Sequence, residues 1–187
     1  MERVIKWDVE LFLYLNNLGS PKFDSFWLFI TNEYYWIPTY FLIFLIILEK
    51  YGWKKVFLIG LSIGLMILLT DTLSSLVKNW IQRPRPCRNP ELEGVFRLVI
   101  EKCRGSYCYF SAHASNSFSL ATYLAFLFYK DYKYSYLLLF SWATLVSYSR
   151  IYVGVHFPLD VLSGAFTGVL IGWLFTKTQK YILKGNI

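Results

Sequence analysis

Charged side chains are nearly absent from five long stretches of this 187-residue sequence. The stretches are 26–48, 56–77, 113–129, 134–149 and 157–175, and the charges inside them are Glu33, Asp71 and Asp160. A helix that crosses the apolar part of a bilayer needs about 20 residues, with about 17 as the lower limit. Five such stretches exceed what one soluble core of this size would bury. The sequence therefore predicts an all-α, polytopic membrane helical bundle with about five transmembrane helices, of which 113–129 and 134–149 are short.

The N-terminal residues lack the features of a secretory signal peptide, because charge begins at Glu2 and no small-residue cleavage site follows. Apolar positions in residues 5–18 are spread so that one helical face would be buried. The opposite, wetted face is expected to carry Glu2, Arg3, Lys6, Asp8 and Glu10. The pattern predicts a helix within residues 1–24 that lies in the membrane interface. A sixth, short membrane span is the competing interpretation.

Cysteine is scarce, and its three occurrences, Cys87, Cys103 and Cys108, all fall in one loop. No two of them are spaced as C-x-x-C, which argues against a zinc site. Three thiols in one loop predict one disulfide and one remaining thiol, and hence an oxidising compartment. The spacing leaves the choice of the pair open.

Positive charge is concentrated in the loop that carries the cysteines. The net charge is +7, and residues 78–104 hold seven Lys or Arg side chains against Glu91, Glu93 and Glu101. A basic loop between two spans is expected to attract anions at the membrane surface. The predicted partners are therefore the lipid bilayer and an anionic lipid, and no nucleic acid is expected.

Counting positive charges does not orient the protein in the membrane. Five spans place the basic loop, the N-terminus and Arg150 on one side, which then carries 11 Lys and Arg against 8 on the other. If Lys78, Arg85 and Arg150 serve a ligand, the two counts become equal, and the positive-inside rule decides nothing.

Three polar segments lie at the ends of spans on that same side. They are KNWIQRPRP at 78–86, YFSAHASN at 109–116 and SRIYVGVHFPLD at 149–160. Arginine binds phosphate through two parallel N–H groups, and lysine adds a point charge, which gives roles to Lys78, Arg85 and Arg150. Ser111 and Ala112 would offer free backbone N–H groups at the start of a helix. The segments together predict a site for a phosphoryl group.

The two histidines of the chain fall in these segments and suit acid–base and nucleophilic roles. His156 and Asp160 are four residues apart, so they share a face of any helix that covers both. Asp160 would accept a hydrogen bond from one ring nitrogen of His156 while the other nitrogen attacks phosphorus. His113, on a different helix, would protonate the leaving oxygen. Carboxylates are few in the basic loop and lack metal-ligand spacing, which favours catalysis without a metal or another cofactor.

The three segments together resemble the type 2 phosphatidic acid phosphatase superfamily, whose pattern is KxxxxxxRP, then PSGH, then SRxxxxxHxxxD. Residues 78–86 match the first block and residues 149–160 match the third in full. The second block is matched in part, since Phe110 replaces proline and Ala112 replaces glycine. The resemblance covers residues 71–175, the expected catalytic core of one domain that spans residues 1–187.

The resemblance implies a helical membrane fold and metal-independent removal of phosphate from a lipid through a phosphohistidine. His156 would be the nucleophile, Asp160 its partner and His113 the general acid. The phosphate ligands would be Lys78, Arg85, Ser111 and Arg150, together with the backbone N–H of Ala112. Members of the superfamily act on the outer face of bacterial inner membranes or on lumenal faces. We therefore expect a multi-pass protein of the bacterial inner membrane whose site faces the periplasm or the outer face.

The sequence indicates the type of reaction more specifically than the substrate. The RPRPC and SAHASN segments look most like small bacterial members that act on undecaprenyl diphosphate or lipid A phosphate. The alternatives are a phosphatase of phosphatidylglycerol phosphate or phosphatidic acid, or a non-catalytic protein that binds or transports anionic lipid. Glycines at four-residue spacing, Gly60 and Gly64 and then Gly164, Gly168 and Gly172, predict close helix packing. That packing lies within one chain or between two, so the oligomeric state is left open.

Overall fold

Six α-helices build the protein, and no strand occurs among residues 2–184, which are those that the computed structural model describes. The helices are α1 (Glu2–Asn17), α2 (Pro21–Thr31), α3 (Ile37–Ile81), α4 (Ala112–Phe128), α5 (Ser135–Tyr152) and α6 (Pro158–Lys184). Short 3-10 helices cover Glu33–Trp36, Pro86–Arg88 and Pro90–Leu92. The all-α prediction is therefore confirmed.

Helix α3 reverses its direction at Gly52, where φ is 74° and ψ is 168°. Glycine adopts a positive φ without the steric penalty that a Cβ would bring. The contacts that fix the two directions are Tyr40 with Trp142, Lys50 with Asp131, and Ser74 with the carbonyl oxygen of Phe110. The half before Gly52 thus runs towards the end of α4, and the half after it runs back to the start of α4.

The predicted first span, 26–48, is wrong in its extent. The chain leaves helical geometry at Asn32, where φ is −88° and ψ is 113°, and the Asn32 side chain accepts a hydrogen bond from the Tyr34 N–H at 3.1 Å. Pro38 lies in the first turn of α3, where a missing N–H leaves no intrahelical bond unmade. The apolar run is therefore split into α2 and the first half of α3.

Two stretches of the described chain are long and apolar enough to cross a membrane, Glu33–Ile81 and Pro158–Tyr181. The first contains the reversal at Gly52, so its two halves run in opposite directions. Helices α4 and α5 have 17 and 18 residues, which places them at the short limit, as the sequence predicts. Helix α4 is surrounded by α3, α5 and α6, so little of its surface needs to be apolar enough for lipid.

Helix α4 packs closely against α6 through the second glycine series. A Cβ at Gly164, Gly168 or Gly172 would lie 2.4 to 2.5 Å from a backbone oxygen of α4 or its cap. The hydroxyls of Ser117, Ser119 and Thr122 donate to carbonyl groups of their own helix, as in Ser117 to His113 at 2.8 Å, so they need no partner from another helix. The prediction of close packing is thus confirmed for this series, within one chain.

The same prediction is wrong, within one chain, for the first glycine series. A Cβ at Gly60 or Gly64 would meet no atom of the described structure within 4 Å. A four-residue glycine spacing alone does not show which face of a helix has a neighbour.

Helix α1 lies across the end of the bundle and turns a partly polar face towards the protein. Its buried residues are Asp8, Phe12 and Asn16, at four-residue spacing. The prediction that Asp8 lies on the wetted face is wrong, because this carboxylate is buried and pairs with Arg83. The other four charged residues, Glu2, Arg3, Lys6 and Glu10, are exposed as predicted, and so are the apolar side chains of Val4, Ile5, Trp7, Leu11 and Tyr14.

Asn16 joins α1 to the end of α5 and to the basic loop. Its Nδ2 lies 2.8 Å from the Tyr152 carbonyl oxygen and 3.0 Å from that of Arg97. Its Oδ1 accepts the Arg97 N–H at 2.7 Å. The last carbonyl groups of a helix lack intrahelical donors, and Asn16 supplies one from another helix. Helix α1 is thus built into the end of the bundle at which α5 stops.

Candidate active site

A cleft of about 1110 Å³ opens where α3 and α5 end and α4 begins. We call this cavity the basic cleft. The basic and histidine side chains of the three polar segments that line it are Lys78, Arg85, His113, Arg150 and His156. The structure brings these residues together because each lies at the same end of the bundle, at or next to the end of its helix.

The turn between α5 and α6 holds His156 in place through the backbone. The Arg150 carbonyl accepts the N–H groups of Val155 at 3.1 Å and His156 at 3.3 Å. Gly154 has a φ of 85°, and a Cβ there would lie 2.8 Å from the carbonyl oxygen of Arg97. Only glycine fits this position, because the Arg97 backbone packs directly against the turn.

Asp160 holds one side of the His156 ring. Its Oδ2 lies 3.4 Å from Nδ1 of His156 and accepts the Phe157 N–H at 2.9 Å. Both side chains are buried, and α6 begins at Pro158, so His156 lies just ahead of the helix rather than on it. The second ring nitrogen, Nε2, lies 3.5 Å from Nη1 of Arg85, on the side of the basic cleft.

Burial lowers the pKa of His156 from its ordinary value to about 4. The Asp160 carboxylate opposes this shift, and Arg85 and Arg150 reinforce it. The imidazole is therefore neutral near pH 7, and one ring nitrogen keeps a free lone pair. With Nδ1 held by Asp160, the reactive lone pair is on Nε2, which suits a nucleophile.

Two arginines of the basic cleft have hydrogen-bonding capacity that the protein does not use. Among the described residues, the Nε atoms of Arg85 and Arg150 are buried without a hydrogen-bond partner. Arg85 Nη1 donates to the Val155 carbonyl at 3.4 Å, and Arg150 Nη1 donates to Thr31 Oγ1 at 2.5 Å. Burial lowers the pKa of Arg85, so its charge is poorly solvated. A bound anion would supply both acceptors and counter-charge.

At the start of α4, Ser111, Ala112 and His113 have different surroundings. Ala112 and His113 line the basic cleft, and the first N–H groups of a helix have no intrahelical acceptor. Ser111 is the N-cap of α4: its hydroxyl accepts the Ala114 N–H at 3.4 Å, and its own N–H donates to the Asp160 carbonyl at 2.9 Å. The Ser111 contacts therefore favour a capping role, and its predicted binding to phosphate stays a prediction.

Two residues that contact the site are not predicted from the sequence: Arg83, which lies behind the basic cleft, and Thr31, which lines it. Arg83 contacts both Asp160 and Asp8, and Thr31 contacts Arg150. The signals for them were weak, because Arg83 is one of seven cations in the basic loop and Asp8 lies on a helix with other charges. Only the four-residue spacing of Asp8, Phe12 and Asn16 marks the buried face.

A disulfide closes the basic loop. Cys87 and Cys103 are joined, with their Cα atoms 6.2 Å apart, and the neighbouring residues Lys102 and Arg104 line the basic cleft. Cys108 is the free thiol; it is buried, and its Sγ donates to the Pro84 carbonyl at 3.2 Å. Burial raises the pKa of Cys108, which makes it an unreactive thiol.

An apolar cavity of about 560 Å³ adjoins the basic cleft. We call it the apolar groove. It lies between the two halves of α3 and helices α4 and α5, and its wall includes Ile43, Ile47, Ile59, Leu120, Leu124 and Val146. It shares Thr31, Glu33, Ala112 and His113 with the basic cleft. A charged cleft that continues into an apolar groove fits a molecule with an anionic head and a hydrocarbon chain.

The sequence is similar to a known family of proteins. A family model described as "PAP2 superfamily" matches residues 59–184. Over 171 residues the chain is 35% identical to a lipid A 4'-phosphatase of Bacteroides thetaiotaomicron, covering 90% of this chain and 75% of the relative. It is 30% identical over 183 residues to an undecaprenyl-diphosphatase of Sulfolobus acidocaldarius, covering 95% of this chain and 81% of the relative.

Two crystal structures have a similar fold. The PAP2-type phosphatidylglycerolphosphate phosphatase from Bacillus subtilis superposes with a TM-score of 0.77 at 22% identity, covering 100% of this chain and 90% of its own. LpxE of Aquifex aeolicus superposes with a TM-score of 0.66 at 31% identity, covering 90% of this chain and 94% of its own. The predicted membrane helical bundle is thereby confirmed. The chain belongs to the PAP2 superfamily, as a membrane lipid phosphatase.

Proposed function

We propose that the protein removes phosphate from lipid A phosphate or undecaprenyl diphosphate in the bacterial inner membrane, through a phosphohistidine at His156. The observation that carries this proposal is the meeting of the basic cleft and the apolar groove at His113. A phosphate in the cleft then lies beside both histidines, while the attached chain occupies the groove. The named activities of the two relatives support this pair of substrates.

The first step transfers the phosphoryl group to the enzyme. Nε2 of His156 attacks phosphorus, the bond between phosphorus and the lipid oxygen breaks, and His113 gives its proton to that oxygen. Lys78, Arg85 and Arg150 bind the three equatorial oxygens, whose charge develops in the transition state. Asp160 stabilises the positive charge that forms on the imidazole ring.

The second step regenerates the histidine. A water molecule attacks phosphorus in line with Nε2, the nitrogen–phosphorus bond breaks, and His113 takes the proton of the water. Inorganic phosphate leaves, and His113 is again protonated for the next turnover. One residue thus acts as acid and then as base on the same side of the phosphoryl group.

The proposal needs no metal ion, because the transition-state charge is matched by three cationic side chains. Within the described residues, no group of three or more His, Cys, Asp or Glu side chains is arranged to hold a metal. We expect purified protein in detergent to keep full phosphate release in excess EDTA, whereas loss of activity that returns with a divalent cation would contradict this part of the proposal.

A phosphate-release screen tests the substrate. The panel is lipid A, undecaprenyl diphosphate, phosphatidylglycerol phosphate and phosphatidic acid, each in mixed micelles at equal mole fraction. We expect kcat/KM to be highest for one of the first two. A preference for either glycerophospholipid would make that lipid the substrate instead. Binding of all four without turnover would indicate a non-catalytic anionic-lipid protein.

We further propose that the basic cleft faces the periplasm or the outer face of the membrane. The disulfide between Cys87 and Cys103 lies in the loop that borders the cleft, and disulfides persist in oxidising compartments. After reduction, a membrane-impermeant maleimide should label Cys87 and Cys103 in intact spheroplasts. A Lys133→Cys variant, at the opposite end of the bundle, should be labelled only after permeabilisation. The reverse pattern would show that the orientation is wrong.

A further inference from the structure

Arg83 joins two buried carboxylates from distant parts of the chain, directly behind His156. Its Nη1 donates to Oδ1 of Asp160 at 3.0 Å, and its Nη2 lies 2.6 Å from Oδ2 of Asp8 as an ion pair. The guanidinium carbon lies 3.9 Å from the centroid of the Phe157 ring. Neither Arg83 nor Asp8 lines the basic cleft or the apolar groove, so both act on the reaction only through other residues.

We propose that Arg83 and Asp8 are positioning residues, through which α1 sets the orientation and the charge environment of Asp160. The inference rests on the proposed phosphohistidine mechanism, in which Asp160 supports His156. It assigns to the N-terminal helix a part in the phosphoryl transfer, in addition to any contact with the membrane surface.

The orientation of Asp160 is determined by the donors on its two oxygens. Oδ2 takes the Phe157 N–H and faces Nδ1 of His156, which leaves Oδ1 for Arg83. A carboxylate with donors on both oxygens has one rotamer that satisfies all of them. Without Arg83, the buried Oδ1 would lose its charged donor, and the carboxylate would gain by turning away from His156.

The charge balance explains why a second carboxylate is present. An arginine paired with Asp160 alone would cancel the negative charge that the imidazolium needs during phosphoryl transfer. Asp8 restores it, because two carboxylates and one guanidinium carry a net charge of −1 beside His156. Burial raises the pKa of Asp8 above its ordinary value, and the Leu159 N–H and Arg83 oppose this shift in part.

Asp8 also fixes the start of α6. Its Oδ1 accepts the Leu159 N–H at 2.8 Å, one residue before Asp160. The first N–H groups of a helix need an acceptor from outside the helix, and here α1 supplies it. One side chain of α1 therefore contacts both the backbone next to Asp160 and the guanidinium that binds Asp160.

The test is steady-state kinetics on the preferred lipid, with kcat expressed per folded chain after size exclusion. We expect Arg83→Gln to lower kcat by about 10- to 100-fold, because small misplacements of a reacting group have effects of that size. KM should change by less than about threefold, since no ligand of the phosphate is touched. Asp8→Asn should lower kcat by about 10-fold, and Arg83→Lys should recover part of the loss.

Non-additivity separates positioning from a purely structural role. In an Asp160→Asn background, Arg83→Gln should cost less than about threefold, because its target is already gone. The same factor in both backgrounds would overturn the proposal. Unchanged kcat in Arg83→Gln, or in both Asp8→Asn and Arg83→Lys if the glutamine variant does not fold, would overturn it as well.

The matched control is Arg97, which also pairs with a carboxylate and lies over an aromatic ring. It contacts both oxygens of Asp24 at 2.8 Å and lies over the Tyr152 ring, outside the basic cleft. Arg97→Gln should lower thermal stability and leave kcat per folded chain unchanged; an equal loss of kcat there would make the Arg83 effect unspecific and overturn the proposal. If the wild type releases no phosphate from any lipid, the proposed function fails, whereas a failure of the Arg83 prediction alone leaves it intact.

Discussion

His156→Ala is expected to lower kcat for phosphate release by at least about 10⁴-fold, because removal of an enzymatic nucleophile has effects of this size or larger. The variant should remain folded, since His156 lies in a turn held by backbone contacts of Arg150 and by Gly154. The measurements are phosphate release in detergent, and trapping of a phosphoenzyme that survives alkali and is lost in acid. Wild-type turnover in this variant would falsify the phosphohistidine mechanism.

His113→Ala is the control that separates the nucleophile from the acid. Loss of general acid–base catalysis costs about 10² to 10⁴-fold on a lipid whose alkoxide is a poor leaving group. With p-nitrophenyl phosphate the leaving group needs little protonation, so His113→Ala should lose much less in the step that forms the phosphoenzyme. His156→Ala should lose activity on both substrates alike. An equal loss in the two variants on both substrates would contradict the assigned roles.

Gly168→Ala is expected to destabilise the helical bundle, because α4 leaves no room for the added methyl group. Its Cβ would lie 2.4 Å from the Ser115 carbonyl oxygen and 3.0 Å from the Ser119 N atom, and both are backbone atoms that cannot move aside. Overpacking in a close interface costs about 1 to 3 kcal/mol. Helices α4 and α6 carry His113 and Asp160, so activity should fall together with the melting temperature in detergent.

Gly64→Ala is the matched control for this substitution. It places the same methyl group on a helical glycine of the other series, where no atom of the described structure lies within 4 Å. Alanine in a helix is favoured over glycine by about 0.5 to 1 kcal/mol, so the melting temperature should stay equal or rise. A loss of stability equal to that of Gly168→Ala would show that Gly64 has a close neighbour, such as a second copy of the chain.

The sequence predicts the residues that line the basic cleft well. A charged side chain in an apolar chain is costly, so its presence indicates a role. Arg150 and His156 stand out against stretches that otherwise avoid charge, whereas Lys78 and Arg85 are distinguished from the other cations of the basic loop by the KxxxxxxRP spacing. Alternation of the spans then places them at one end, and the structure places all four in one cleft. The order of the spans is enough to predict this shared position, and their exact bounds are not needed.

The contacts of Arg83 and Asp8 behind His156 could not be predicted in this way, since they depend on how the helices are oriented. Asp8 belongs to a helix with charges on several sides, and nothing in its local pattern shows that it meets Arg83. The break at Asn32 is equally hard to predict, because only the short polar run Thr31-Asn32-Glu33 interrupts a long apolar and aromatic stretch. The burial of Ser111 as the N-cap of α4 depends on how α4 packs, and the sequence alone does not show it.

The apolar groove has a consequence for how turnover should be measured. A substrate whose chain lies between α3, α4 and α5 reaches His113 by moving within the plane of the membrane, and it does not pass through water. Encounter is then two-dimensional, and the relevant concentration is the mole fraction of lipid in the micelle or bilayer. Adding detergent at constant bulk substrate should slow the enzyme by surface dilution, without any change in the protein.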